Sequence, residues 1–368
     1  CKSAARIHPV QHDDAFETWA AKAVARRWPR ARVDQIAALR GDLSTRRFWR
    51  VSIAQHKNSI ASHDETAAPP TAILVDLGPD DFPRYVRVLN LLRRPRAEPP
   101  WIDVHRSLES IGAPVPALYD ADLARRAMLV EDVGELSLLD AVRRPGADAA
   151  DLFRLAASEL IRLHVDGTGQ IGRRCVAREI VYSGRLFEWE MKEFAEVGLT
   201  AVAPGADFSP IAPELKRLAA RLDRFPRVFS HRDYHGHNLF IQDGPRIRII
   251  DFQDALMAPA AQDLAVLLTT RDTDEFITPA IERRILDFYC AGLVRRGLPT
   301  TLDAAEFMSS YRMCVLQHAL KMIGRFEMFE RGGKSGYRPY IPHALAQARR
   351  MLAEMRAEFP ELCAALSA

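Results

Sequence analysis

Hydrophobic positions along the chain change from mixed strand and helix patterns to mainly helical spacing partway along its length. Apolar residues recur at helical spacing in Asp14–Arg30, and the apolar runs Phe48–Ile53 and Thr71–Asp76 predict two strands. The polar stretch Ala54–Pro70 ends in Ala-Ala-Pro-Pro, which indicates the tip of a hairpin. A further apolar run, Ala127–Val130, predicts another strand.

Helical patterns dominate the later part of the chain. Helices are predicted for Pro83–Leu92, Trp101–Ser110 and Ala149–His164. The sequence Glu131–Gly134 interrupts the pattern, so we place a domain boundary there. The predicted domains are residues 1–133 and 134–368. Mixed strands followed by mainly helices predict an α+β fold.

Composition limits the classes of function. Apolar residues make up 48% of the 368 positions, and the formal charge is only +3, which argues against nucleic-acid and membrane partners. The five cysteines are scattered and never spaced as Cys-x-x-Cys, so reduced thiols are expected rather than disulfides or a zinc site. No apolar run reaches the length of a membrane span. A monomeric, cytoplasmic protein is expected.

One polar loop carries a histidine, an aspartate and an asparagine at short intervals: His231, Asp233 and Asn238. The β-branched run Ile247–Ile250 follows and ends at Asp251. The turn residues between them predict that the chain folds back on itself. We therefore expect Asp251 to lie beside Asp233 and Asn238.

Those residue types in that order are what ATP-dependent phosphoryl transfer requires. We predict that Asp233 orients an attacking hydroxyl and accepts its proton, while Asn238 and Asp251 bind Mg²⁺ against the phosphates of ATP. A single aspartate in such a loop is usually a turn or cap residue, but the ordered set favours catalysis. His231 is predicted to brace the loop through hydrogen bonds.

The loop histidines offer an alternative interpretation. His231, His235 and His237 lie within seven residues, and imidazoles are suitable zinc ligands. No His-Glu-x-x-His helix accompanies them, however, and the two aspartates and the asparagine already account for the loop. Magnesium is therefore the predicted metal.

His231-Arg232-Asp233 with Asn238 resembles the catalytic loop of the aminoglycoside phosphotransferase/choline kinase superfamily, and Asp251-Phe252-Gln253 resembles its metal-binding segment. This resemblance implies a two-lobed, protein-kinase-like fold with a small, mainly β N-lobe and a larger, mainly helical C-lobe. Further segments resemble the bacterial sugar 1-kinases that act on N-acetylmuramate and N-acetylglucosamine in cell-wall recycling. They are Gly41–Phe48, Glu131–Gly134, Ile250–Ala255 and Gln317–Phe326.

The resemblance implies that residues 1–133 bind the nucleotide. The residues implied are Ser44, Thr45, Arg46 and Arg47 at the phosphates, and Glu131 and Val133 in the hinge that faces adenine. The loop that holds the first four is not rich in glycine, so a plain polar turn remains an alternative. Related kinases carry a lysine on a strand that reads Ile73–Asp76 here. We hypothesise that Arg46 or Arg47 supplies the missing cation, the alternative being a solvated arginine.

Residues 134–368 are expected to hold the catalytic loop and the acceptor site. The acceptor candidates are Tyr234, His235, Gln253, Asp254 and Glu188. Trp189, next to Glu188, is either a platform for a sugar or a core residue. Asp263 resembles an aspartate that supports the catalytic loop in the superfamily, and its alternative role is a helix N-cap.

Taken together, the resemblance implies an ATP-dependent kinase that phosphorylates the anomeric hydroxyl of an amino sugar or a related hexose. Two alternatives stay open. The acceptor is an aminoglycoside, a choline-like compound or another metabolite, or the chain is a regulatory pseudokinase that binds ATP without transfer. An aminoglycoside calls for an acidic pocket, and no dense cluster of Asp and Glu lies near the motif.

Overall fold

The structure is a computed structural model, and it describes most of the chain. The described ranges are residues 14–39, 46–55, 67–79, 82–92, 98–242, 246–298 and 302–367. They belong to two compact units, drawn from Cys1–Asp81 with Pro116–Gly134 and from Phe82–Val115 with Glu135–Ala368. The predicted α+β class is confirmed, because one unit is built on a sheet and the other is mainly helical.

The first unit is built on a five-stranded antiparallel sheet with the strand order β1-β2-β3-β5-β4. Its elements are α1 (Asp14–Arg27), β1 (Ala31–Ala38), β2 (Arg47–Gln55), β3 (Thr71–Asp76), β4 (Leu118–Asp122) and β5 (Ala127–Glu131). Trp19 and Trp28 share a buried core with Leu74 and Leu129 of the sheet. Helix α1 and strands β2, β3 and β5 confirm the predicted elements. Strand β1 was not predicted, because Ala31 is its only buried residue and the apolar alternation is weak.

The second unit is mainly helical. Its helices are α2 (Arg84–Val88), α3 (Pro100–Ser110), α4 (Leu138–Val142), α5 (Ala149–Gln170), α6 (Gly184–Glu193), α7 (Leu199–Val202), α8 (Ile211–Asp223), α9 (Ala261–Thr269), α10 (Pro279–Arg295), α11 (Ala304–Arg331), α12 (Ile341–Glu354) and α13 (Pro360–Ser367). Its strands are β6 (Arg227–Ser230), β7 (Leu239–Gln242), β8 (Arg246–Ile249) and β9 (Leu256–Pro259). None of the helices in the described ranges combines the length and apolar content that a bilayer span requires.

Two short antiparallel pairs organise the motif region. Strand β7 pairs with β8, which confirms that the chain folds back after the polar loop. Strand β6, which leads into that loop, pairs instead with β9, a strand that the sequence pattern did not predict. The segment that follows Asp251 therefore returns beside the strand that precedes His231.

Residues 82–115 pack within the second unit, although the hydrophobic pattern placed them before the boundary at residue 133. The ring of Trp101 stacks on His105 at 4.9 Å and lies 5.1 Å from the ring of Phe252. The carboxylate of Asp103 accepts a hydrogen bond from the backbone nitrogen of Val176 at 2.7 Å. These partners are distant in sequence, so the local hydrophobic pattern cannot reveal them.

Gly324 permits a close approach between α11 and the end of α6. A Cβ atom at this position would lie 2.2 Å from the backbone nitrogen of Phe194, which begins a π-helical turn. We expect Gly324→Ala to lower the free energy of unfolding by about 1–3 kcal/mol, because backbone atoms cannot move aside as a flexible side chain can. Chemical denaturation measures this loss.

Gly169 provides a matched control in helix α5. A Cβ atom there would meet nothing within 4 Å. Gly169→Ala is therefore expected to leave the stability unchanged or to raise it slightly, since alanine is the better helix former. Equal losses in the two variants would contradict the proposed packing at Gly324.

Candidate active site

Asp263 fixes the backbone of the loop that follows β6. Its two carboxylate oxygens accept hydrogen bonds from the backbone nitrogens of His231 and Arg232, both at 2.7 Å. The Nε2 atom of His164 lies 3.0 Å from the same carboxylate. Burial acts to raise the pKa of Asp263, but the hydrogen bond from His164 and the neighbouring charges lower it below its usual range. Asp263 lies in the first turn of α9, whose N-cap residue is Ala260, so it is not the cap of that helix.

The structure brings Asp233, Asn238 and Asp251 together. The side-chain nitrogen of Asn238 donates to the backbone oxygen of Asp233 at 3.0 Å. The backbone nitrogen of Ile250 donates to the backbone oxygen of Asn238 at 3.0 Å, and Nε2 of His231 lies 2.9 Å from the backbone oxygen of Ile250. Asp251 follows with a φ of 63°, in the left-handed region. The end of β8 is thus tied to the loop at several points.

The orientation of these side chains suits a magnesium ion. Because the amide nitrogen of Asn238 donates a hydrogen bond to the backbone oxygen of Asp233, the amide oxygen of Asn238 is the atom left to bind a cation. The side-chain nitrogen of Gln253 donates to Oδ1 of Asp251 at 3.0 Å, a contact of the kind that orients a metal-binding carboxylate. Carboxylate and amide oxygens are the ligands that Mg²⁺ prefers. These residues therefore fit the metal predicted for them.

The loop histidines point to different partners. His231 faces the end of β8, and Nε2 of His237 lies 3.4 Å from a carboxylate oxygen of Asp272. Nε2 of His235 lies 3.3 Å from the amide nitrogen of Asn238. Within the described ranges, no three His, Cys, Asp or Glu side chains form a group that holds a metal ion. The arrangement gives no support to the zinc alternative.

Arg232, the residue before Asp233, lies in a buried network of charges. Its guanidinium donates to Glu190 at 2.7 Å and to the hydroxyl of Tyr85 at 2.8 Å, and it lies 4.4 Å from the centre of the Tyr85 ring. The ammonium of Lys321 lies 3.1 Å from the other carboxylate oxygen of Glu190. Arg232 has a φ of 78°, which is costly for a residue with a side chain. The network holds this conformation in place.

The carboxylate of Asp233 is half-buried and, within the described residues, accepts no hydrogen bond from another side chain or backbone group. Burial acts to raise its pKa, but the positive charges of Arg232 and Lys321 outweigh burial and hold the pKa below its usual range. Asp233 is therefore anionic at neutral pH and open to a hydroxyl. That is the state a general base requires.

Three of the predicted acceptor residues lie at this site. Gln253 contacts Asp251, and a carboxylate oxygen of Asp254 lies 3.6 Å from the guanidinium of Arg232. His235 contacts Asn238, and burial lowers the pKa of His235 to about 4. All three side chains are half-buried, so each retains surface that a ligand can reach.

Two other acceptor candidates are placed differently. Tyr234 is fully buried, and its hydroxyl donates to the backbone oxygen of Ala156 at 2.9 Å. Glu188 is exposed on α6, whereas Glu190, two residues later, is the carboxylate that reaches Arg232. We therefore assign Tyr234 to the support of the loop, and Glu190 rather than Glu188 is the α6 carboxylate at the site. Trp189 is half-buried between them.

In the first unit, the predicted arginines lie on or next to β2. Nε and Nη2 of Arg47 donate to one carboxylate oxygen of Asp76, at 2.9 and 2.8 Å. Asp76 ends the strand on which related kinases carry a lysine, and it faces Arg47 across the β2–β3 pair. Arg46 is half-buried. Ser44 and Thr45 lie outside the described residues.

The predicted hinge follows β5. Glu131 is the last residue of that strand, and its carboxylate accepts a hydrogen bond from the backbone nitrogen of Ala117 at 3.0 Å. Val133 is buried, and Asp132 between them accepts a hydrogen bond from Nε of Arg50 at 2.7 Å. The side chains of Glu131 and Asp132 are thus hydrogen-bonded to other residues of the first unit.

Sequence reasoning missed two residues of α11 that lie close to Asp233. Lys321 and His318 are each 8% exposed, and both interact electrostatically with Asp233. The sequence analysis identified their segment, Gln317–Phe326, only by its resemblance to the bacterial sugar 1-kinases. A histidine and a lysine spaced three apart within the mainly apolar run Met313–Ile323 were the signal that would have singled them out.

The acid sensitivity of the fold is expected to depend on His318. Burial, with the nearby charge of Lys321, lowers the pKa of His318 from 6.5 to about 3, so the native state keeps this ring neutral. The unfolded chain takes up a proton below the ordinary pKa, so native stability falls as pH drops from 6.5 towards 3 and is unaffected above 6.5. Between roughly pH 7.5 and pH 5, the wild type should lose about 2 kcal/mol more than His318→Asn. Urea unfolding at both pH values measures the difference, and parallel losses would contradict it.

A known protein family matches more than half of the chain. The family described as "Phosphotransferase enzyme family" matches residues 75–299. An N-acetylmuramate/N-acetylglucosamine kinase of Caulobacter vibrioides is 27% identical over 354 residues, which cover 88% of this chain and 90% of that protein. A protein of the same name from Pseudomonas aeruginosa is 30% identical over 278 residues, covering 73% of this chain and 78% of that protein.

Solved structures share the fold at low sequence identity. A choline kinase from Cryptosporidium parvum superposes with a TM-score of 0.60 at 12% identity, covering 96% of this chain and 100% of that chain. An ADP-bound aminoglycoside phosphotransferase superposes with a TM-score of 0.54 at 13% identity, covering 95% and 99%. At these identities the similarity concerns the fold alone.

Proposed function

Because the chain belongs to the phosphotransferase enzyme family, we propose that it transfers the γ-phosphoryl group of ATP to the anomeric hydroxyl of an N-acetylated amino sugar. Asp233 presents an open, anionic carboxylate, and its backbone oxygen accepts a hydrogen bond from Asn238, whose own backbone oxygen accepts one from Ile250, the residue before Asp251; this arrangement is the observation that carries the chemistry. The acceptor class is supported by the relatives named for N-acetylmuramate and N-acetylglucosamine. Both sugars carry an acetamido group next to the anomeric carbon.

Asp233 acts on the sugar in this proposal. It orients the anomeric hydroxyl and accepts its proton while that oxygen forms a bond to the γ-phosphorus and the bond to the ADP oxygen breaks. The anomeric hydroxyl is more acidic than an ordinary alcohol, so a weakly basic carboxylate is sufficient. Asp263 accepts a hydrogen bond from the backbone nitrogen of Arg232, and the buried side chain of Arg232 anchors the loop, so both residues keep Asp233 in position.

Asn238 and Asp251 would hold Mg²⁺ through their side-chain oxygens, and Gln253 orients the carboxylate of Asp251. When bound, the cation offsets the negative charge on the phosphate oxygens. His231 helps to keep Asn238 and Asp251 together, because Nε2 of its ring contacts the backbone oxygen of Ile250, the residue before Asp251.

Arg47 is proposed to hold a phosphate group of ATP. Its side chain remains 47% exposed although Asp76 binds two of its nitrogens, so part of the guanidinium faces solvent. Arg47→Ala is expected to raise the KM for ATP about 10-fold, the loss of one charged hydrogen bond, with a smaller effect on the KM for the sugar. Steady-state kinetics with each substrate varied separately measures this. An unchanged KM for ATP in both Arg47→Ala and Arg46→Ala would contradict the assignment.

Ser44 and Thr45 are proposed to contact the phosphates, and the backbone of Glu131 and Val133 to contact adenine. The protein is proposed to act as a cytoplasmic monomer without nucleic-acid or membrane partners. The described cysteines form no disulfides, which supports a reducing compartment.

An ATP-consumption screen in the presence of Mg²⁺ tests the proposed function. The acceptors are N-acetylmuramate, N-acetylglucosamine, unmodified hexoses, an aminoglycoside and choline. Turnover is expected on the N-acetylated sugars. Turnover on choline or the aminoglycoside instead, or ATP binding without turnover on any acceptor, would contradict the proposal.

A further inference from the structure

Two polar side chains of α11 lie near Asp233, and the proposed phosphoryl transfer places neither of them on the sugar or on ATP. His318 and Lys321 are separated by three positions, so they lie on one face of the helix, about one turn apart. The same face is held against α6, where the side-chain nitrogen of Gln317 lies 3.4 Å from the carboxylate of Glu190. The pair is therefore fixed in place beside the catalytic loop.

The hydrogen-bonding capacity of the pair is only partly used. The Lys321 ammonium has three donors, and one carboxylate oxygen of Glu190, at 3.1 Å, is its ion-pair partner within the described residues. Nδ1 of His318 is buried without a hydrogen-bond partner. Buried polar atoms are rarely left unpartnered, so this nitrogen has a hydrogen-bonding position that a ligand group beside Asp233 can fill.

The charges around the pair favour a neutral ligand group. Lys321 and Arg232 are both cationic and buried, so an ammonium group placed against them is repelled. Glu190 and Asp233 carry the balancing negative charges beside the pair, so a carboxylate gains little there. A neutral amide avoids both penalties.

An amide also matches the hydrogen-bond donors of Lys321 and the ring nitrogen of His318. Its carbonyl oxygen accepts from an ammonium, and its N–H donates to an unprotonated ring nitrogen. The His318 ring stays neutral across the working pH range, because burial lowers its pKa to about 3. One neutral histidine and one lysine thus complement both ends of an acylamino group.

We propose that His318 and Lys321 bind the N-acyl group of the acceptor and thereby select a neutral acylamino sugar over the free amine. This inference rests on the proposed function and identifies the part of the site that sets its specificity. The pair would also exclude cationic acceptors such as choline, because their positive charge would lie against the ammonium group of Lys321.

The test compares three acceptors that differ only at one carbon: N-acetylglucosamine, glucose and glucosamine. The quantities measured are the ratios of kcat/KM for each amino sugar to kcat/KM for glucose. In the wild type, N-acetylglucosamine should exceed glucose at least about 100-fold, because a site built to hydrogen-bond a group discriminates strongly against its absence. Glucosamine, mostly protonated near pH 7, should fall below glucose.

Lys321→Met and His318→Phe should each lower the N-acetylglucosamine-to-glucose ratio at least about 10-fold, the loss of one good hydrogen bond. Lys321→Met should also raise the glucosamine-to-glucose ratio, because the repelling cation is gone. A purely structural role for Lys321 would not move the two ratios in opposite directions. Lys192→Met is the matched control, since Lys192 is 63% exposed on α6 and pairs with Glu196 at 3.3 Å. Its ratios should equal those of the wild type.

Glu190 keeps Arg232 as its ion-pair partner in Lys321→Met. If Lys321→Met does not fold, His318→Phe decides the matter. Unchanged ratios in the folded variants would overturn the inference while phosphoryl transfer to N-acetylglucosamine stands. A wild type that phosphorylates no N-acetylated sugar would instead overturn the proposed function, and the inference with it.

Discussion

Asp233→Asn should reduce kcat roughly 10²–10⁴-fold, the range typical of losing a general base. Asparagine keeps the shape of the side chain but cannot accept the proton of the attacking hydroxyl. Because no hydrogen bond to the Asp233 carboxylate is formed in the described part of the chain, the substitution breaks no hydrogen bond there. The loss is therefore expected in turnover, with ATP binding retained in a thermal-shift assay.

A surface aspartate serves as the control for this substitution. Asp151 is 63% exposed and forms an ion pair with Arg154, itself 54% exposed, at 3.2 Å. Asp151→Asn should leave kcat within about twofold of the wild type, since exposed ion pairs contribute little. A small effect of Asp233→Asn, comparable to this control, would remove Asp233 from the chemical step.

Asp263→Ala should lower the free energy of unfolding by about 3–5 kcal/mol, the cost of breaking a fully buried network. The change leaves the backbone nitrogens of His231 and Arg232 without their acceptor, and it leaves His164 without its carboxylate partner. Because the same backbone carries Asp233, kcat should fall as well. Urea denaturation followed by circular dichroism measures the stability, and kinetics at low temperature measures the remaining turnover.

Asp287 offers the matched comparison. It is 64% exposed on α10 and pairs with Arg283 at 3.0 Å. Asp287→Ala is expected to cost less than about 1 kcal/mol, since solvent screens the pair. If the two alanine variants were equally stable, the buried carboxylate of Asp263 would not be what holds the loop.

The catalytic loop was predictable from the sequence because its parts are close together along the chain. Asp233 and Asn238 share one loop, and a short turn brings Asp251 back to them through the β7–β8 pair. Residue types, order and turn signals sufficed to expect their meeting. Local patterns therefore capture a site when its ligands come from one hairpin.

The charged surroundings of that loop were not predictable, since they come from helices far along the chain. Glu190 is 42 positions from Arg232, and Gln317 is 127 positions from Glu190. Helical periodicity alone does not tell a buried ion pair from a surface one. The sequence pattern indicated Glu188 and gave no signal for Glu190, because positions two apart on a helix point in widely different directions and only packing decides which one is inside.

The position of the phosphate on the product tests the central claim most directly. After incubation of N-acetylglucosamine with ATP and Mg²⁺, phosphorus NMR should show a single ester coupled to the anomeric proton, and the reducing end of the sugar should be lost. The Asp233→Asn variant should give no such product in the same time. A phosphate on any other hydroxyl, with the reducing end intact, would contradict the assignment of this chain as an anomeric sugar kinase.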